Sequence, residues 1–185
     1  MRTFSIASAP DDPDLVIATR LTGSAYKSHL ASLPIGSTVE IEGPYGDLTL
    51  HEDATGPAVF LAGGIGITPF LSMIRAAEKR GFSRDLLLFY SNRTVEDSAF
   101  LAELTQTAEK HPRLRLVAAM TDTGAWQGEL GPITRDMLAR HIDDPENAVF
   151  YLSGPPAMVG AMETMLKEMD IHHHSIRSEF FDGYR

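Results

Sequence analysis

Three observations in this sequence predict an α/β fold. From residue 58 onward, short apolar runs alternate with amphipathic stretches. Two of those runs end in glycine-bearing turns that open the next helix. Before residue 53 the text is strand-like instead, cut by proline- and aspartate-rich turns. The first pattern is that of an open parallel sheet, of about five strands, with helices on both faces. The last reads as part of an antiparallel β-barrel that precedes it.

In the first region the runs Phe-Ser-Ile-Ala-Ser (4–8), Leu-Val-Ile-Ala-Thr (15–19) and Thr-Val-Glu-Ile-Glu-Gly (38–43) are the expected strands. Residues 9–14 and 32–37 supply the turns. One short helix is expected over residues 24–33, where Tyr26, Leu30 and Leu33 share the helical period. Residues 51–57 turn polar, which puts the boundary between a first region at 1–53 and a second at 54–185.

In the second region strands are predicted at residues 58–62, 86–90, 114–120 and 148–152, with a last one near 175–180. Helices fall between them at about 69–80, 97–110, 134–141 and 156–169. Gly81 stands where a left-handed helix cap belongs, and Thr94 precedes Asp97 at capping-box spacing.

Composition narrows the function classes. With 43% hydrophobic and 22% charged residues, 185 residues can bury a core. No apolar run approaches the ~20 residues of a membrane span, and no basic region followed by an apolar core opens the chain, so a cytoplasmic protein is expected. The absence of cysteine removes disulfides and thiolate-held metal centres. A net charge of −9 without a basic stripe argues against nucleic acid as a partner.

The strongest motif is Gly63-Gly64-Ile65-Gly66-Ile67-Thr68-Pro69, directly after an apolar strand and directly before a helix. Its glycines allow a tight turn and close approach of a ligand, and the helix start behind it favours an anion such as a pyrophosphate. Thr68 and Pro69 suit the cap and first turn of that helix. The run Ser153-Gly154-Pro155-Pro156-Ala157-Met158 repeats the arrangement after a later strand. Two such turns at the carboxyl ends of parallel strands line one crevice. Ordinary strand-to-helix turns remain the alternative for both.

These motifs, with Arg2-Thr3-Phe4-Ser5 and Glu179-Phe180-Phe181-Asp182-Gly183-Tyr184, stand in an order that resembles the flavin-dependent ferredoxin–NADP reductase superfamily. The resemblance implies that Arg2, Phe4 and Ser5 meet FAD. It implies a second flavin-phosphate contact from Ser24, Ala25, Tyr26 and Lys27. It assigns the nicotinamide nucleotide to Gly63, Gly64, Ile65, Gly66, Ile67, Thr68, Pro69, Gly154, Pro155, Pro156 and Met158, with Thr68 near hydride transfer. Ser91 and Arg93 fall where the adenosine ribose is met, and the planar fork of Arg93 suits a 2′-phosphate, which favours NADPH over NADH. Phe181 and Tyr184 are expected against the flavin, with the Glu179 carboxylate at its reactive edge. Ser5, Thr68 and Glu179 are thus the candidate catalytic residues. In the family several barrel strands precede the segment that here begins at residue 2, so the flavin barrel is expected to lack its first half.

The function implied is an oxidoreductase that passes a hydride from NAD(P)H to FAD and electrons onward to a ferredoxin, a haem protein or an oxygenase component. A homodimer or a second chain would complete the barrel. The alternative is a non-catalytic nucleotide-binding module without stable flavin. The three histidines 172–174 are expected to hold no metal, because consecutive residues on an extended segment point to alternate faces.

Overall fold

The computed structural model describes residues 2–51, 56–122, 124 and 126–180. A first helix, α1 (Ala25–Ser32), precedes the α/β region. There the order is β1 (Ala58–Gly63), α2 (Ile67–Arg80), β2 (Leu86–Asn92), α3 (Leu101–Lys110), β3 (Leu114–Met120), β4 (Glu129–Leu130), α4 (Arg135–His141), β5 (Val149–Gly154), α5 (Pro156–Glu168) and β6 (Ile176–Phe180). A 3-10 turn, Gly64–Gly66, joins β1 to α2.

The six strands form one parallel sheet in the order β4-β3-β2-β1-β5-β6. The chain moves outward from β1 through β2 and β3, then crosses back to lay β5 on the other side of β1. Between β1 and β5 the strand order therefore reverses, and outside the carboxyl ends of such a pair a crevice opens.

Alternation along the strands sorts the core into two layers. Phe60, Leu88, Tyr90 and Tyr151 pack with Phe70, Leu71 and Ile74 of α2 and Leu104 of α3. Leu61, Phe89, Phe150 and Leu152 face Leu138 of α4 and Val159 and Leu166 of α5. Every residue of β1 is buried, as expected of the central strand of a sheet covered on both faces.

Little antiparallel pairing is formed in the first region among the described residues. Of the three strand-like runs before residue 53, two meet at a single isolated bridge, Ile6 with Ile17, supported by the Ala7 N–H donating to the Val16 carbonyl at 2.8 Å. The third forms no strand, and its Val39 and Ile41 are 54% and 67% exposed. A strand exists only through its ladder, and among the described residues these segments find no partner edge. What holds the region is docking onto α2. Ala7, Ser8 and Ala9 are buried there, Ser72 Oγ donates to the Ser8 carbonyl at 2.6 Å, and Arg75 donates to the Ala7 carbonyl at 2.8 Å. The boundary proposed at residue 53 lies outside the described residues.

Several element starts differ from expectation. Helix α2 begins at Ile67 with Gly66 at its cap position, so Thr68 is not the cap but sits inside the first turn, and its hydroxyl donates to the Ile65 carbonyl at 3.0 Å. Pro69 falls in the same turn, where its missing N–H costs nothing. Helix α3 starts at Leu101, four residues later than expected, behind a left-handed Phe100 with φ 61°. Thr94 Oγ1 accepts from the Asp97 N–H at 3.3 Å as the capping spacing suggested, but it closes a loop turn rather than the helix.

Candidate nucleotide crevice

The two glycine turns meet at the switch point. Gly63, Gly64, Ile65 and Gly66 from the end of β1, with Gly154, Pro155 and Met158 from the end of β5, line a cleft of about 290 Å³. Ser91, Asn92 and Arg93 at the end of β2, and Arg20 from the first region, complete it. The turns interlock: a side chain at Gly66 would run into the backbone of Ser153 and Gly154. Gly64 has φ 54°, the left-handed region that glycine occupies without strain.

Two polar groups in or beside the cleft find no partner of good geometry among the described residues. Asn92 is 5% exposed and neither atom of its amide is hydrogen-bonded to them; Ser153 is fully buried and its hydroxyl is likewise not bonded to them. Buried polar groups of a folded protein are nearly always satisfied, so orphaned atoms beside a cleft fit a polar ligand. A wider depression of about 810 Å³ runs along α3, but it lies away from the strand ends and carries Glu109, which repels phosphate, and Glu103, whose oxygens are taken by Arg75.

Cationic charge is gathered by one carboxylate. Asp97 Oδ1 accepts from Arg20 at 3.3 Å and Oδ2 accepts from Arg93 Nε at 3.1 Å, while the Asp97 backbone carbonyl accepts a second Arg20 N–H at 2.7 Å. Arg93 is 75% exposed and keeps both terminal amino groups outside this pairing. Arg20 was invisible to sequence reasoning, because it ends a strand-like run with no motif around it. Asn92 lay inside the Ser91–Arg93 segment, but nothing in its spacing marked its burial.

Of the residues expected at the nucleotide, the structure gathers Gly63, Gly64, Ile65, Gly66, Ser91, Arg93, Gly154, Pro155 and Met158. Ile67, Thr68, Pro69 and Pro156 are outside the lining. Thr68 is 2% exposed, and its hydroxyl serves the turn.

The residues expected at the flavin form two small groups. Ser5 donates its hydroxyl to Glu179 Oε2 at 3.3 Å, joining the first region to β6. Half-burial pushes the Glu179 carboxyl above the usual glutamate range, against the lowering effect of the Ser5 hydrogen bond. The rings of Phe4 and Tyr26 stack with centroids 6.1 Å apart. Ser24 caps α1 by accepting from the Lys27 N–H at 3.2 Å, Ala25 opens the helix, and Lys27 Nζ donates to Thr22 Oγ1 at 3.4 Å. Arg2 is exposed. Phe181 and Tyr184 lie outside the described residues.

The histidines 172–174 contradict the geometry expected of them. His173–Ser175 is a 3-10 turn, not an extended segment, and it brings the three imidazoles together. Among the described residues no helix is long and apolar enough to cross a membrane.

A parallel sheet with glycine turns at its switch point and arginines beside them is a dinucleotide-binding α/β domain. The chain belongs to the oxidoreductase NAD-binding domain family, whose profile matches residues 60–164. It is 28% identical over 182 residues to the ferredoxin–NAD(P)(+) reductase component of the naphthalene 1,2-dioxygenase system of Pseudomonas putida, covering 97% of this chain and 56% of that protein. It is 31% identical to ferredoxin–NADP reductase B of Sorangium cellulosum over 98% of this chain and 78% of that one. An Amycolatopsis cytochrome P450 reductase shares its fold at a TM-score of 0.82 and 30% identity, over 97% of this chain and 56% of that chain. The chain thus spans about half the length of most of the curated relatives it matches.

Proposed function

We propose that the chain is part of an oxidoreductase in which NAD(P)H reduces FAD and the electrons pass on to a protein acceptor. The observation that carries this reading is the interlocked pair of glycine turns at the β1–β5 switch point, with unpaired polar atoms and two arginines around one cleft. When bound, the nicotinamide nucleotide supplies a hydride and the flavin accepts it and releases electrons one at a time.

The chain's own residues bind and orient. The absence of a side chain at Gly64 lets a pyrophosphate approach the backbone, that at Gly66 lets the β5 turn close against it, and the N-terminal amides of α2 attract the charge. Arg20 adds a fixed cation beside Gly64, at 3.8 Å from where a side chain would begin. The open amino groups of Arg93 suit a 2′-phosphate, which favours NADPH. The Asn92 amide offers a donor and an acceptor to the sugar.

On the flavin side, Arg2, Lys27 and the start of α1 supply cations and amides for phosphate, and Phe4 with Tyr26 an aromatic pair. Ser5 and Glu179 hold a hydrogen-bonded proton site, where the raised pKa keeps the proton to higher pH than an exposed glutamate would. The acceptor we infer is a redox protein: a ferredoxin, a haem protein or an oxygenase component. The relatives named as reductase components support that class. The exposed Val39, Ile41 and Tyr45 support further polypeptide over the first region, from the same chain, a second chain or a second copy.

The test is the visible spectrum of protein purified with added FAD, followed by anaerobic titration with NADPH and then NADH. A bound-flavin band that bleaches is expected, at lower concentration with NADPH. A colourless protein that still binds nucleotide would overturn the flavin half and leave a nucleotide-binding module.

A further inference from the structure

We propose that His172, His173 and His174 form a binding site for a borderline divalent transition-metal ion, with Zn²⁺ as its simplest occupant. The turn is the reason. Because His173–Ser175 winds as a 3-10 helix after an extended His172, successive side chains no longer alternate across a strand. The ring centroids stand 4.7 Å apart for His172–His173, 5.0 Å for His172–His174 and 3.8 Å for His173–His174. One nitrogen from each lies within 4.8 Å of the other two.

Imidazole nitrogen is a preferred donor for zinc, nickel and copper. Tetrahedral zinc with bonds of about 2.0–2.1 Å asks for nitrogens roughly 3.4 Å apart. Closing to that spacing takes small side-chain rotations, and all three residues are exposed, so the rotations meet little packing resistance. The hydrogen bond within the cluster, from the His174 N–H to His172 Nδ1, is long at 3.3 Å and is exchanged at little cost. Three protein nitrogens leave at least one position for water or an outside carboxylate.

The opposing charge is Arg177. Its guanidinium is held by the His174 carbonyl at 2.7 Å and by His51 Nε2 at 2.9 Å, so it is fixed near the turn and weakens attraction for a cation. A micromolar site is therefore expected rather than one of structural tightness. It sits at the entry to β6, so a bound ion braces the strand that carries Glu179.

Calorimetric titration of the full chain with ZnCl₂, in a buffer that does not chelate, tests the site. One equivalent is expected to bind. Each of His172→Ala, His173→Ala and His174→Ala is expected to weaken binding by about tenfold or more, since even outer-shell partners of a metal cost that much. Unchanged circular dichroism would show that these exposed positions leave the fold intact. Absence of one-to-one binding, a smaller loss in any one variant, or binding retained when all three are replaced would each overturn the three-ligand site.

Discussion

Gly66 lies so close to the carbonyl of Ser153 that no side chain fits between the two turns, although they are 87 residues apart in the chain. The contact is backbone against backbone, so neither side can swing away. Gly66→Ala is therefore expected to cost about 1–3 kcal/mol, the range for forcing extra atoms into a packed site. Gly64→Ala meets only the end of the Arg20 side chain, at van der Waals distance, and pays mainly for its left-handed φ, about 1 kcal/mol. Urea denaturation of both variants checks the order. A Gly64 variant as damaged as the Gly66 variant would mean that the turns are not locked together.

Arg75 is one of the ties between the first region and the helices on the sheet. It donates from Nε and a terminal amino group to both Glu103 oxygens, at 2.6 and 2.8 Å, and with its other amino group to the Ala7 carbonyl. The Glu103 hydrogen bonds raise its pKa, so the guanidinium keeps its charge at any working pH. Arg75→Ala is expected to lose roughly 1–3 kcal/mol and to release residues 7–9 from α2, because a carbonyl and a carboxylate are left without their donor. Faster amide exchange at residues 7–9, with β1 unchanged, is the measurement. Unaltered exchange would show that the docking rests on Ser72 and the apolar contacts alone.

The sheet was legible because burial on both faces forces continuous apolar runs, and the strand bounds at 114–120 match residue for residue. The glycine motifs were legible because a tight strand-to-helix turn excludes other residues. The runs before residue 53 were less legible, because alternation records a face that can be buried and says nothing of whether a partner strand is present to bury it. The two-residue β4 is too short for any period, and the left-handed Phe100 that delays α3 carries no sequence sign. The Arg20–Asp97 pair joins residues 77 positions apart, which no local spacing encodes. The histidine turn was misread because an extended segment was assumed before β6.

Arg93 and Arg20 share one carboxylate but face different parts of the cleft, so their removal should read out differently. Arg93→Ala is expected to weaken binding of 2′,5′-ADP by about ten- to a hundredfold, the value of a charged hydrogen-bonded pair, and to leave 5′-AMP nearly unchanged. Arg20→Ala, beside Gly64, should weaken both, since both carry a 5′-phosphate. Fluorescence or calorimetric titration of the four pairs gives the ratios. Equal losses for both nucleotides on removing Arg93 would take it away from the 2′-position.

Glu179 gives a pH signature of known sign. Burial raises its folded-state pKa above the ordinary glutamate value of 4.5, so the folded protein holds this proton more tightly than the unfolded chain does. Its contribution to stability is fully present below the unfolded pKa. As pH rises past about 4.5 the unfolded chain ionises first, and the contribution is lost by the time the folded pKa is passed. Glu179→Gln keeps the shape and cannot ionise, so it removes this loss while keeping an acceptor for the Ser5 hydroxyl. Urea midpoints of the parent and the variant, followed upward from pH 4, are expected to diverge, with the variant gaining relative stability as the parent ionises. Parallel curves would mean that the carboxyl titrates alike in both states, and that the Ser5–Glu179 contact is too open to water to hold a proton.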